Sequence, residues 1–157
     1  MSVCRRCLRK NKKGFTLAEV LVYLIVMGAL LGLASAAVGL NDKNLLARAL
    51  INVQSDLRLA KRLAVTANGP ARVVFNLSEH SYIVQNRQSG AYKTARAVKL
   101  GSVTIESMNA SAFTVSYNSR GTTADACTIV LKKGAYRGSL TVNIGAGRVQ
   151  IKDIIRL

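Results

Sequence analysis

From Val20 to Leu40 the chain carries no charged residue. This apolar run predicts an α-helix able to cross a bilayer, because 21 residues at about 1.5 Å each span roughly 31 Å. Beyond it the pattern changes but the helix does not end. Leu46, Leu50, Val53, Leu57, Ala60 and Ala64 recur at intervals of three and four, which predicts an apolar stripe on a continuing amphipathic helix. Arg48, Asp56, Arg58, Lys61 and Arg62 fall largely off that stripe. One helix is therefore expected from about Thr16 to about Val65, with a bend near Gly39 to Asp42, where Gly and Asn weaken helix propensity. Gly28 and Gly32 form a small-xxx-small pair that permits close approach of another helix. Asn68-Gly69-Pro70 ends the element, since Gly and Pro do not continue a helix comfortably.

After Pro70 short β-rich runs take over. Strands are expected at Ala71 to Leu77, Ser81 to Asn86, Ser102 to Met108, Ala112 to Asn118, Ala126 to Lys132, Gly138 to Ile144 and Arg148 to Ile154. Turn signals lie at Arg87 to Gly90, Asn118 to Gly121, Lys133-Gly134 and Gly145-Ala146-Gly147. Val73, Phe75 and Leu77 alternate with more polar or smaller neighbours, as do Val103 and Ile105, and Phe113, Val115 and Tyr117. That period of two predicts a sheet with one buried face, against which the stripe of the helix packs.

Composition adds direction and a partner class. The 157 residues hold 23 Lys and Arg against seven acids, a formal charge of +16. Arg5, Arg6, Arg9, Lys10, Lys12 and Lys13 precede the apolar run, which keeps the N-terminus cytoplasmic and sends the remainder outward. An excess of this size either solvates the surface or attracts polyanions: nucleic acid, anionic lipid or acidic cell-surface polymers. Cys4-Arg5-Arg6-Cys7 has the spacing of half a zinc site or a redox pair, but no second pair exists and it precedes the apolar run, so it reads as an incidental pair. Cys127 reads as a small buried strand residue, and His80, the only histidine, as a satisfied or exposed surface group. No catalytic constellation, cofactor or metal site is expected.

The stretch Lys13-Gly14-Phe15-Thr16-Leu17-Ala18-Glu19-Val20 places a lone acid at the entry to the apolar run. A carboxylate in hydrocarbon costs a few kcal/mol and calls for a named partner. Three plainer readings compete. Ala34-Ser35-Ala36 has the small residues of a signal-peptide cleavage site, Arg5-Arg6 hints at a twin-arginine signal, and the run fits an ordinary single-pass anchor. Glu19 and the length of the run weigh against them.

These residues resemble the N-terminus of type IV pilins and type II secretion pseudopilins. The resemblance implies a prepilin peptidase that cuts between Gly14 and Phe15 and methylates the new amino group of Phe15. It further implies that Glu19 meets the positive N-terminus of a neighbouring subunit as helices stack into a filament. An opposite charge within reach makes a buried acid tolerable and fixes subunit register. The fold implied is α+β and type IV pilin-like, a long N-terminal helix on an antiparallel sheet. Its parts would be a leader (1–14), a membrane and filament-core helix (15–40), an amphipathic continuation (41–66) and a β-rich head (67–157). Loss of the leader would leave 17 basic residues against seven acids, or +10.

More narrowly, Ser116-Tyr117-Asn118-Ser119-Arg120-Gly121-Thr122 and Gly147-Arg148-Val149 resemble the GspH/FimT branch, which includes competence pseudopilins. The implied role is a minor pilin or pseudopilin that joins or primes a pilus-like filament, with a type II secretion pseudopilin as the alternative. It would sit in the cytoplasmic membrane with its head outside, and reach the periplasm or cell surface on assembly. Some FimT-like proteins bind DNA through Gly-Arg-x-Arg; here Gly147-Arg148-Val149-Gln150 has Gln150 in place of the second arginine. Lys132, Lys133, Arg137, Arg148, Lys152 and Arg156 are the candidate phosphate contacts for double-stranded DNA, without sequence preference. A meander would bring the turns carrying Lys133 and Arg148 together. The same residues equally suit a solvated sheet edge that discourages strand pairing.

Overall fold

The structure, a computed structural model, describes residues 16–157, and within the helix it leaves aside the side chains of residues 31–40. The expected leader, with Gly14 and Phe15, lies outside the described residues. The described chain separates into two compact units, divided between residues 37 and 38.

Helix α1 runs from Leu17 to Thr66 and is continuous through Gly39–Asp42. Its start has a local cause. The Glu19 N–H donates to the Thr16 carbonyl at 3.0 Å and to Thr16 Oγ1 at 3.3 Å, so Thr16 caps the first turn. Its end is equally local: Asn68 turns to φ +46°, and the Gly69 N–H reaches back to the Ala64 carbonyl at 3.1 Å.

In the second unit Leu46, Leu50, Val53, Leu57, Ala60 and Ala64 are all buried, at 0–1% exposure. The three-and-four spacing thus marks the face that joins the core. The chain then forms β1 (Ala71–Asn76), β2 (Ser81–Gln88), β3 (Ala91–Lys99), β4 (Thr104–Met108), β5 (Thr114–Tyr117), β6 (Cys127–Lys133), β7 (Tyr136–Val142), β8 (Val149–Ile151) and β9 (Ile155–Arg156). They form two antiparallel sheets rather than one. The first has the order β3-β2-β1-β5, the second β4-β6-β7-β8, with β9 also on β7. A bridge between Thr123 and Gly145 ties the segments that follow β5 and β7.

Alternating residues of both sheets meet α1 in one core. Val73, Phe75, Tyr82 and Val84 come from the first sheet; Ile129, Leu131, Leu140 and Val142 from the second. Gly138 shows how close the helix lies, for a Cβ there would sit 2.6 Å from Leu50 Cδ1.

Three strand expectations need correction. β3 was not expected, because every residue but Val98 is exposed and no apolar alternation marks it. The hairpin turn before it, Ser89-Gly90, has φ positive at both residues, the geometry that suits the twist of paired strands. The run expected from Ala112 begins at Thr114, since Ala112 and Phe113 take φ of +51° and +49°. The run expected at Arg148 to Ile154 splits into β8 and β9, both paired to β7, with the Lys152 N–H joining the Ser139 carbonyl between them.

Candidate functional site

Glu19 stands in the first turn of α1, where the unpaired N–H groups of the helix end favour negative charge. Thr16 and Glu19 have the spacing of a capping box, a signal that is legible in the sequence and gives the acid a second, local benefit. Behind it the helix is apolar on every side. Leu17, Val20, Leu21, Val22, Tyr23, Leu24, Ile25, Val26, Met27 and Leu30 are all exposed. A helix apolar all round is stable only when lipid or other protein covers it. Among the described residues no helix is long and apolar enough to cross a membrane. The expected span continues through 31–40, whose side chains lie outside them.

The head does not gather the six expected cations into one patch. β6, β7 and β8 do form a meander, yet the turns carrying Lys133 and Arg148 lie at opposite ends of β7. Successive hairpin turns of a meander alternate ends, and the seven residues of β7, Tyr136 to Val142, separate these by about 20 Å. Strand alternation divides the set again. Lys132 and Arg137, cross-strand partners, share the face away from Leu131 and Gly138, while Lys133 turns toward α1 and pairs with Asp42 at 3.8 Å. Arg137 is held by Glu106, with Nε 2.6 Å from Oε2 and a second contact from Nη2. Glu106 reaches it from a bulge in β4, where two residues of that strand oppose one of β6. That hydrogen bond lowers the pKa of the Glu106 carboxyl and raises that of Arg137.

Gln150 in β8 and Arg148 and Lys152 just beyond its two ends alternate with the inward-facing Val149 and Ile151, so they share the outer side of this segment. Neither Arg148 nor Lys152 has a carboxylate within ion-pair distance among the described residues. Arg156 opposite Tyr136 takes the other parity from Ile155 opposite Arg137, which sets it on the other face. A shallow depression lined by Ser107, Thr128, Val130, Ser139 and Asp153 interrupts the outer face beside Arg137. Its acid makes this face poorer for a polyanion than the sequence suggests.

The sequence pattern missed a polar cluster in the core. Asp56 is buried on α1, and its Oδ2 accepts from the Tyr82 hydroxyl at 2.7 Å while Oδ1 accepts from Arg96 at 2.9 Å. Helix, β2 and β3 are thereby pinned at one point. Burial, then the bond to Asp56, pushes the Tyr82 hydroxyl far above its ordinary pKa. Burial does the same to Tyr117 and lifts the Cys127 thiol to about 11. A thiol held protonated is a packing group and not a nucleophile. His80 Nδ1 accepts the Ile105 N–H at 3.2 Å, tying the β1–β2 turn to β4, which is a structural task. Among the described residues no group of His, Cys, Asp and Glu has the arrangement of a metal site.

Comparison with known proteins agrees with this architecture. Residues 9–35 match the family described as a prokaryotic N-terminal methylation motif, and residues 49–147 that described as type II transport protein GspH. None of the curated proteins matches the chain. Among solved structures, the type IV minor pilin FimU of Pseudomonas aeruginosa PAO1 is similar at a TM-score of 0.59 and 15% identity, covering 73% of this chain and 92% of its own. The minor pseudopilin EpsH of the Vibrio cholerae type 2 secretion system is similar at 0.58 and 9% identity, covering 68% and 95%. These likenesses establish the fold, α+β and type IV pilin-like. The N-terminal motif implies a prepilin peptidase and other pilin subunits as partners, and is consistent with membrane anchoring and a surface or periplasmic filament. On the match across the head together with that motif, the chain belongs to the GspH family of minor pilins and pseudopilins.

Proposed function

We infer that this protein joins or primes a pilus-like filament through its N-terminal helix. The supporting observation is the all-round apolar surface from Leu17 to Leu30 with Glu19 in its first turn. The segment anchors the subunit in the membrane until assembly. In the filament, packed helices replace lipid around it, and the carboxylate of Glu19 receives the methylated amino group of Phe15 from a neighbour. Cleavage between Gly14 and Phe15 creates that amino group. Replacing the acid by Val should abolish or sharply reduce incorporation into filaments, while the head, whose core contains no part of this segment, melts as before. Normal incorporation of Glu19→Val would refute the assembly chemistry.

Uptake of DNA in natural transformation is a second reading, favoured by Arg148 and Lys152 on one side of β8 without carboxylate partners among the described residues. Each phosphate neutralised releases counterions, so binding would ignore sequence and weaken steeply with salt. Lys132, on the same outer face as Lys152, would extend the patch, whereas Arg156 on the other face would add only long-range attraction. An Arg148→Ala, Lys152→Ala double variant should lose most low-salt affinity for duplex DNA; undiminished binding would remove this site. A secretion pseudopilin that exports folded proteins shares the assembly chemistry and would show no such DNA binding.

A further inference from the structure

β3 is nine residues long, contains no Pro and closes one side of the first sheet. Open edges invite another strand, and here a bulge at Ala95 confines the regular part of the edge to the run ending at Thr94, while the lysines bar a cationic partner. Which of its groups face outward follows from the ladder. The Arg87 N–H bonds to the Pro70 carbonyl at 2.9 Å, so Arg87 turns its main chain away from β3. Its cross-strand partner Tyr92 therefore belongs to a non-hydrogen-bonded pair, and alternation places Thr94 likewise. Tyr92 and Thr94 thus direct both main-chain groups at the open edge.

The surroundings define what would fit there. β3 carries Lys93, Arg96 and Lys99 and no acid; β2 carries Arg87 and no acid. Asp56 occupies Arg96, whereas Lys93 and Lys99 have no carboxylate within ion-pair distance among the described residues. Beside the end of β3 a groove of about 180 Å³ lies against α1, lined by Leu45, Ala49, Val98 and Val103 with Arg48 and Lys99 also on its wall.

We propose that β3 is a docking edge that takes an extended, acidic segment of a neighbouring protein as an added strand. The main chain of that segment pairs with Tyr92 and Thr94, the carboxylates along its outer face lie beside Lys99, and an apolar side chain on the opposite face enters the groove beside Val98, with Lys93 on that inner side. Added strands draw affinity from main-chain hydrogen bonds and specificity from pockets for alternate side chains, and this edge offers both. A nucleic acid would satisfy the cations but leave the row of peptide groups and the apolar groove unused.

The test uses the full chain in detergent micelles and a fluorescent, end-blocked peptide of alternating Val and Glu, matched in length to β3. It should bind about tenfold more tightly than the same peptide with a central Pro, or with Lys for Glu. Hydrogen exchange at the Tyr92 and Thr94 amides should slow on binding. Thr94→Pro removes an outward donor without touching the ladder to β2, and should weaken binding about tenfold at unchanged melting temperature. Should that variant melt early, Lys93→Glu with Lys99→Glu serves instead, and should shift preference to the Lys peptide. Failure of the Val/Glu peptide to bind, equal binding of the Pro peptide, or unchanged exchange at both amides would overturn the proposal. Duplex DNA binding at β3 in preference to the peptide, insensitive to Thr94→Pro, would replace it with a polyanion site.

Discussion

Asp56 is the residue on which helix and first sheet agree. Its carboxylate receives Tyr82 and Arg96 from two different strands, and it is buried while Arg96 is half exposed. Asp56→Ala strands a buried hydroxyl, so chemical denaturation should show a loss of about 1–3 kcal/mol. Titration of other buried groups sets the alkaline limit. Tyr82, Tyr117 and Cys127 all have pKa values raised in the fold, chiefly by burial. The unfolded chain therefore releases these protons first as pH rises, and stability that is complete below pH 9 declines above it. For Cys127, moved from 9.0 to about 11, the loss amounts to about 2–3 kcal/mol by pH 11. Cys127→Ser should remove the thiol's share of the decline when denaturation midpoints are compared from pH 8 to 11.

At the level of elements, the buried face of the long helix was written plainly in the sequence. Six apolar residues at helical spacing became six buried residues, because the physics that selects the pattern also buries it. Leu50 rests on Gly138, so Leu50→Ala should cost about 2–5 kcal/mol in a denaturant titration of the head. Strands with one buried face were legible for the same reason. β3 was not, since an edge strand with both faces open owes its conformation to hydrogen bonds with β2 and a turn at Ser89-Gly90. The candidate site was legible only in part. Glu19 announces itself by standing alone in an apolar run, whereas the separation of Lys133 from Arg148 depends on which end of β7 each turn occupies. Alternation of strand faces and the bulge at Glu106, both long-range pairing effects, then decide which cations are neutralised.

For the whole molecule, one contrast governs behaviour. The head buries its apolar residues in its own core, while the described start of the helix exposes apolar side chains all round. Such a chain needs lipid or its own kind, and in the assembly proposed above the single acid in the first turn selects the second when a cation is offered. In that assembly the cation we propose is the amino group that cleavage after Gly14 would create, so the start of the mature chain is the decisive fact. Mass spectrometry of the protein recovered from its native membrane should find the polypeptide beginning at an N-methylated Phe15. A polypeptide that retains residues 1–14, or one that begins beyond Glu19, would contradict the account.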